Sequence, residues 1–135
     1  MVEKKKKIKI STIKGAKDIL PQEVREWQRV EGVTKSILEL YGYREIRTPV
    51  FEATELFEKG TGETSDVVMK EMYTFKDKGG RSLTLRPEYT PSIARAIIDH
   101  RLHLKSQPMR YYFIGPMFRY DKPQKGRYRQ FHQVD

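Results

Sequence analysis

The chain has 135 residues, 27 of them basic and 18 acidic, for a net charge of +9; 37% are hydrophobic and 33% charged. That length fits one domain or a large piece of one and is enough to bury a core, while eight Tyr, six Phe and one Trp argue against wholesale disorder. The absence of cysteine excludes a disulfide framework, a thiolate nucleophile and cysteine-bound zinc, and a reducing compartment fits it.

Apolar runs of three or four residues are too short for a transmembrane helix, and no apolar stretch follows Lys4 to Lys7, so no signal peptide or membrane partner is expected. The charge is uneven. Residues 1–17 hold seven Lys and one acidic residue, and residues 101–135 hold eight Lys or Arg and two Asp, while acids outnumber bases between them. Two basic blocks around an acidic middle imply a local polyanionic contact rather than a uniform basic coat.

Residues 1–13 read as a basic tail with a short strand through Ile8, Ile10 and Ile13; residues 14–135 then read as one unit with no internal repeat or linker. Gly15 to Leu20 forms a loop. Pro21 suits the first position of a helix, and Val24, Trp27, Val30, Val33, Ile37, Leu38 and Tyr41 recur every three or four residues to make one apolar face. Gly42 ends that helix, and a strand follows over Arg44 to Phe51 with Pro49 marking an edge. Thr54 to Lys59 reads as a short helix and Gly60 to Ser65 as a loop. Met72 to Phe75 and Ser82 to Leu85 flank Asp77-Lys78-Gly79-Gly80 as a hairpin. Thr90 caps and Pro91 opens a helix to His100, and strands over Arg110–Tyr120 and Tyr128–Val134 close the chain. This order predicts an α+β fold, an antiparallel sheet flanked by helices.

No glycine-rich phosphate loop is present, so any phosphate must be bound by side chains. Five bases, Arg119, Lys122, Lys125, Arg127 and Arg129, crowd the last hairpin against one acid. A solvated basic turn accounts for them on composition alone. The alternative is a clamp on a polyphosphate: Arg119, held at the end of an apolar strand, offers a rigid bidentate fork, and the mobile bases of the tip close over the outer phosphates. Glu88 stands just before a helix start, where the dipole favours a carboxylate; it also suits an ammonium ligand, with the Thr90 hydroxyl beside it. His100, His103 and His132 do not make a metal site, since no carboxylate or third ligand accompanies the i, i+3 pair.

Taken together, these segments resemble the class II aminoacyl-tRNA synthetases and, among them, the histidyl-tRNA synthetase family. Lys14-Gly15-Ala16-Lys17-Asp18-Ile19-Leu20-Pro21 is similar to that family's opening signature. The long helix with Tyr41-Gly42-Tyr43-Arg44-Glu45-Ile46-Arg47-Thr48-Pro49-Val50-Phe51-Glu52 resembles motif 1, which builds the family's homodimer interface. Thr84-Leu85-Arg86-Pro87-Glu88-Tyr89-Thr90 resembles the segment that holds the amino acid, and Phe118 to Gln133 resembles motif 2 in its histidyl form.

The resemblance implies a cytoplasmic histidine–tRNA ligase that uses ATP with Mg2+, L-histidine and tRNA(His). The histidine carboxylate attacks the α-phosphorus of ATP, and the acyl group then passes to the tRNA 3′ end. On these positions Arg119 is the catalytic residue, binding the α-phosphate and the substrate carboxylate. Arg127 reaches the outer phosphates, and Glu88, Thr90 and Gln133 hold the α-amino group. The family's motif 3, its histidine-specific segments and its anticodon-binding domain have no counterpart in the chain, so an amino-terminal part of the catalytic domain, inactive alone, is expected. Two other readings stay open: the synthetase-like regulatory subunit of ATP phosphoribosyltransferase, and a non-catalytic dimerisation or interaction module.

Overall fold

The computed structural model describes residues 10–60, 70–105, 108–122 and 124–135. Helix α1 (Pro21–Leu40) opens on proline without a side-chain cap and closes at Gly42, whose φ of 80° is the left-handed conformation that glycine adopts without a Cβ penalty. The strand expected over Arg44 to Phe51 is two short pieces, β1 (Arg44–Glu45) and β2 (Phe51–Ala53). The backbone between them leaves the ladder at Thr48-Pro49, where proline restricts both residues and lacks an N–H. Helix α2 (Thr54–Gly60), the hairpin β3 (Tyr73–Lys76) and β4 (Ser82–Leu85), helix α3 (Thr90–Asp99) and a 3-10 turn at Leu102–Leu104 follow. Three strands end the chain: β5 (Tyr111–Tyr112), β6 (Ile114–Phe118) and β7 (Gln130–Val134).

The architecture is α+β. Strands β2, β4 and β3 form an antiparallel sheet in that order, β6 and β7 an antiparallel pair, and β1 and β5 a parallel two-residue pair. Asp77 closes the β3–β4 turn: its Oδ1 accepts the amides of Gly79 and Arg81 at 2.8 and 2.9 Å, and its Oδ2 accepts Arg81 Nε at 2.7 Å. The expected strand over Arg110–Tyr120 breaks at Phe113, whose N–H and C=O both pair with Asp135 at 2.9 and 3.1 Å. The partner strand starts at Gln130 rather than Tyr128, although Arg119 still donates its amide to the Arg129 carbonyl at 2.9 Å. No strand forms at residues 10–13, while Ile8 and the loop expected at Gly60 to Ser65 lie wholly or mostly outside the described residues.

The core sits between α3 and the β6–β7 pair. Tyr89, Phe113 and Met117 are buried there, with Ile46, Ile93 and Phe131 packed around them. The rings of Tyr89 and Phe113 stack at 3.5 Å, 19° from parallel, and the Tyr89 hydroxyl donates to the Ile46 carbonyl at 2.7 Å. Burial of that hydroxyl pushes its pKa up to about 12, which keeps it a donor at any physiological pH. Gly115 follows from this packing, because a methyl group there would run into the Phe113 ring.

Helix α1 departs most from its sequence pattern. Val24, Trp27, Thr34 and Leu38 are half-buried, but no residue of the helix is fully buried. Val30, Val33 and Ile37 form a second apolar stripe, and they are 60%, 58% and 51% exposed.

Candidate functional site

Strand β4 runs directly into the segment Arg86-Pro87-Glu88, and alternation along the strand turns Thr84 and Arg86 to the buried side. Arg86 is 3% exposed. Its Nε donates to the Pro116 carbonyl at 2.9 Å, and its Nη1 donates to the carbonyls of Thr48 and Pro49 at 2.9 and 3.3 Å. Its guanidinium carbon lies 4.7 Å from the Phe113 ring centroid and 5.8 Å from that of Tyr89. Its own amide donates to Val50 and its carbonyl accepts the Phe118 amide, so one residue knits the end of β4 to both flanking segments.

On this shelf Arg119 and Glu88 meet. Arg119 leaves the end of β6 and donates Nε to the Pro87 carbonyl at 2.8 Å, with its guanidinium carbon 5.2 Å from the Phe131 ring centroid. Among the described residues its Nη groups have no hydrogen-bond partner, which leaves a fixed cationic fork for an oxyanion. The Glu88 carboxyl is half-buried and lies within the fields of Arg119 and Asp135. Gln133 is deeper along the β6–β7 pair, opposite Gly115 rather than at the Arg119 end, and its Nε2 donates to Asp135 Oδ2 at 3.5 Å. A cation and a half-buried carboxylate within each other's field carry the charges that complement the two charged ends of a free amino acid.

Two of the residues singled out in the sequence stand apart from this cluster. Thr90 is the first residue of α3 rather than its cap, a position that Tyr89 takes in helical conformation without a side-chain hydrogen bond. Thr90 is exposed and lines a groove with Leu56, Ala94 and Ile98. Arg127 is on the hairpin tip, where Gln124 and Arg127 form an isolated bridge and Gly126 takes a φ of 79°. There it is exposed and paired with Asp121 at 3.0 Å. Arg129, expected only as one of the tip bases, folds back with its guanidinium carbon 4.1 Å from the Tyr120 ring centroid. Its amide donates to the Gly15 carbonyl at 2.7 Å, fastening the opening loop to the hairpin.

His132 packs against Trp27 with centroids 4.7 Å apart, which joins β7 to α1. Among the described residues no group of three or more His, Asp or Glu side chains comes together to hold a metal ion, and no helix is long and apolar enough to cross a membrane.

Burial raises the Glu88 carboxyl above the ordinary glutamate value; Arg119 opposes that shift and Asp135 reinforces it. The folded state therefore holds this proton more tightly than the unfolded chain does. The Glu88 contribution to stability is fully present below the ordinary value and falls as pH rises through the raised one. Glu88→Gln removes that loss. The expected result is a higher melting temperature than the parent's at pH 7, with the gap closing toward about pH 4. A variant that melts below the parent at pH 7 would contradict the electrostatic account.

The family model for histidyl-tRNA synthetase matches residues 15–134. The histidine–tRNA ligase of Desulforudis audaxviator is 59% identical over 124 residues, 92% of this chain and 30% of its own length. That of Natranaerobius thermophilus is 61% identical over 120 residues, 89% of this chain and 28% of its own length. Among solved structures, apo histidyl-tRNA synthetase from S. aureus superposes with a TM-score of 0.77 at 42% identity, over 93% of this chain and 28% of that one. A Bacillus halodurans protein described as an ATP phosphoribosyltransferase regulatory subunit/histidyl-tRNA synthetase superposes with a TM-score of 0.80 over 96% of this chain and 32% of its own. At 23% identity it speaks for the fold alone. The chain thus spans less than a third of the length of the relatives that it matches. With its fold matched and the family model covering residues 15–134, the chain belongs to the histidyl-tRNA synthetase family.

Proposed function

We propose that the chain is the motif 1 and motif 2 part of the catalytic domain of an ATP-dependent histidine–tRNA ligase, with residues 14–135 as that part and residues 1–13 as a basic lead-in. The observation that carries this reading is the Arg119 fork, fixed on the Pro87 carbonyl beside the half-buried Glu88 carboxyl. A carboxylate oxygen of L-histidine attacks the α-phosphorus of ATP. A P–O bond forms, the bond to the bridging β-oxygen breaks, and pyrophosphate leaves. Arg119 spans the attacking carboxylate and the α-phosphate and holds the charge that gathers there. Glu88 and Gln133 receive the α-ammonium group, with Thr90 joining them only by turning from the separate groove that it lines, and a bound ammonium favours the ionised Glu88. Arg127 exchanges Asp121 for the outer phosphates. Magnesium would accompany the nucleotide and supply counter-charge to its phosphates. The acyl group then passes to the 3′ end of tRNA(His) in the cytoplasm.

The test is exchange of labelled pyrophosphate into ATP by the ligase that carries this segment. It is expected to require histidine and to be absent with other amino acids; exchange that ignores histidine would reject the reading. The bare stripe of Val30, Val33 and Ile37 also supports a homodimer through α1 and the strand after it, since pairing with a second copy would remove that apolar surface from water. Sedimentation should give a dimer mass at micromolar concentration. A monomer mass at high concentration would contradict the dimer.

A further inference from the structure

We propose that Arg86 is a positioning residue, whose buried guanidinium sets Glu88 against Arg119 by fixing the register of the 86–88 segment on β6. The inference rests on the ligase reading above and deepens its site. Three contacts lock that register: the Arg86 side chain on the Pro116 carbonyl at 2.9 Å, the Arg86 carbonyl on the Phe118 amide at 3.0 Å, and the Pro87 carbonyl on Arg119 Nε at 2.8 Å. The Arg86 side-chain contact is the one that can be changed without altering Arg119, and the same guanidinium also reaches Thr48 and Pro49 on the opposite flank. Glu88 follows two residues after this anchor.

The guanidinium is nearly fully buried, yet every one of its hydrogen-bond partners among the described residues is a neutral carbonyl. Glu52, the acid whose field reaches it, is itself engaged by Arg95 at 2.8 Å. A buried cation without its own carboxylate is a poor device for stability, and an apolar side chain of similar volume often serves as well or better. Its planar, many-donor fork is the one side chain that reaches carbonyls on two flanking segments at once. Lysine keeps the charge but not the fork. The arrangement therefore maintains a distance between two functional groups rather than a strong bond.

The experiment uses the full-length ligase that carries this segment, with Arg86→Lys, Arg86→Gln, Glu88→Gln and the double variant Arg86→Lys/Glu88→Gln. Histidine-dependent pyrophosphate exchange gives kcat and KM for histidine and for ATP separately, and thermal melting is recorded beside them. The expected result is a histidine KM raised about tenfold in both Arg86 variants, with the ATP KM within about twofold of the parent's. The double variant should be no worse than Glu88→Gln alone, because Arg86 acts through Glu88. An unchanged histidine KM would overturn the proposal, as would equal rises in both KM values that track a lower melting temperature, or multiplication of the two single effects. If the parent shows no histidine-dependent exchange, the ligase reading itself fails and takes this role with it. An active parent with silent Arg86 variants overturns the positioning role alone.

Discussion

Arg119→Ala in the ligase that carries this segment is expected to lower histidine-dependent pyrophosphate exchange about 10³-fold, roughly 4 kcal/mol of lost transition-state stabilisation. The size follows from where the side chain is held. Its Nε is already spent on the Pro87 carbonyl and its face rests near Phe131, so the guanidinium loses little freedom when an oxyanion arrives. The oxygen that attacks and the phosphate that it attacks are both anions, and one fixed cation between them removes the main obstacle to their approach. Alanine removes that cation and the anchor together. Arg119→Lys restores charge without the fork and should recover only part of the rate. A loss of less than about tenfold would remove Arg119 from the chemistry.

Phe113→Ala should cost about 3–5 kcal/mol of folding stability, read as a large fall in the midpoint of urea unfolding at unchanged slope. Phe113 is 2% exposed and is stacked on Tyr89, and it carries the Arg86 guanidinium on its ring. Its backbone also closes the β6–β7 pair at Asp135. Truncation opens a cavity over Gly115, which has no side chain to fill it, and takes the ring from a buried cation. A cost below about 1 kcal/mol would mean that the Tyr89–Phe113–Met117 cluster is not the core that it resembles.

Much of this was legible in the residues. Proline then periodic apolar residues then Gly42 defines α1 because each of these acts locally, through φ or through a missing donor. The Asp77 turn and the β3–β4 hairpin are local in the same sense. The site was legible in part: Glu88 lies within the field of Arg119, whereas Gln133 is opposite Gly115 in the β6–β7 pair, Arg127 is occupied by Asp121 and Thr90 faces outward. Long-range pairing was not legible. Nothing in Arg110–Tyr120 announces that the chain passes from β1 at Tyr112 to β7 at Phe113, which pairs with Asp135, or that Thr48-Pro49 gives its carbonyls to Arg86. One signal was available: Arg86 shares the parity of Thr84 along β4, which marks it as inward-facing, and an inward arginine asks what it holds. In α1, periodicity identifies apolar positions but cannot say which stripe meets this chain and which is left for another surface.

The most direct test of the central claim is a structure of the full-length ligase with a non-hydrolysable histidyl-adenylate analogue bound. The account predicts the Arg119 guanidinium about 2.8 Å from an oxygen of the α-phosphate equivalent, with Glu88 and Gln133 on the α-amino group and Arg86 still on the carbonyls of Thr48 and Pro116. An analogue seated elsewhere, with Arg119 bonded only to Pro87 and Glu88 without a ligand, would contradict it.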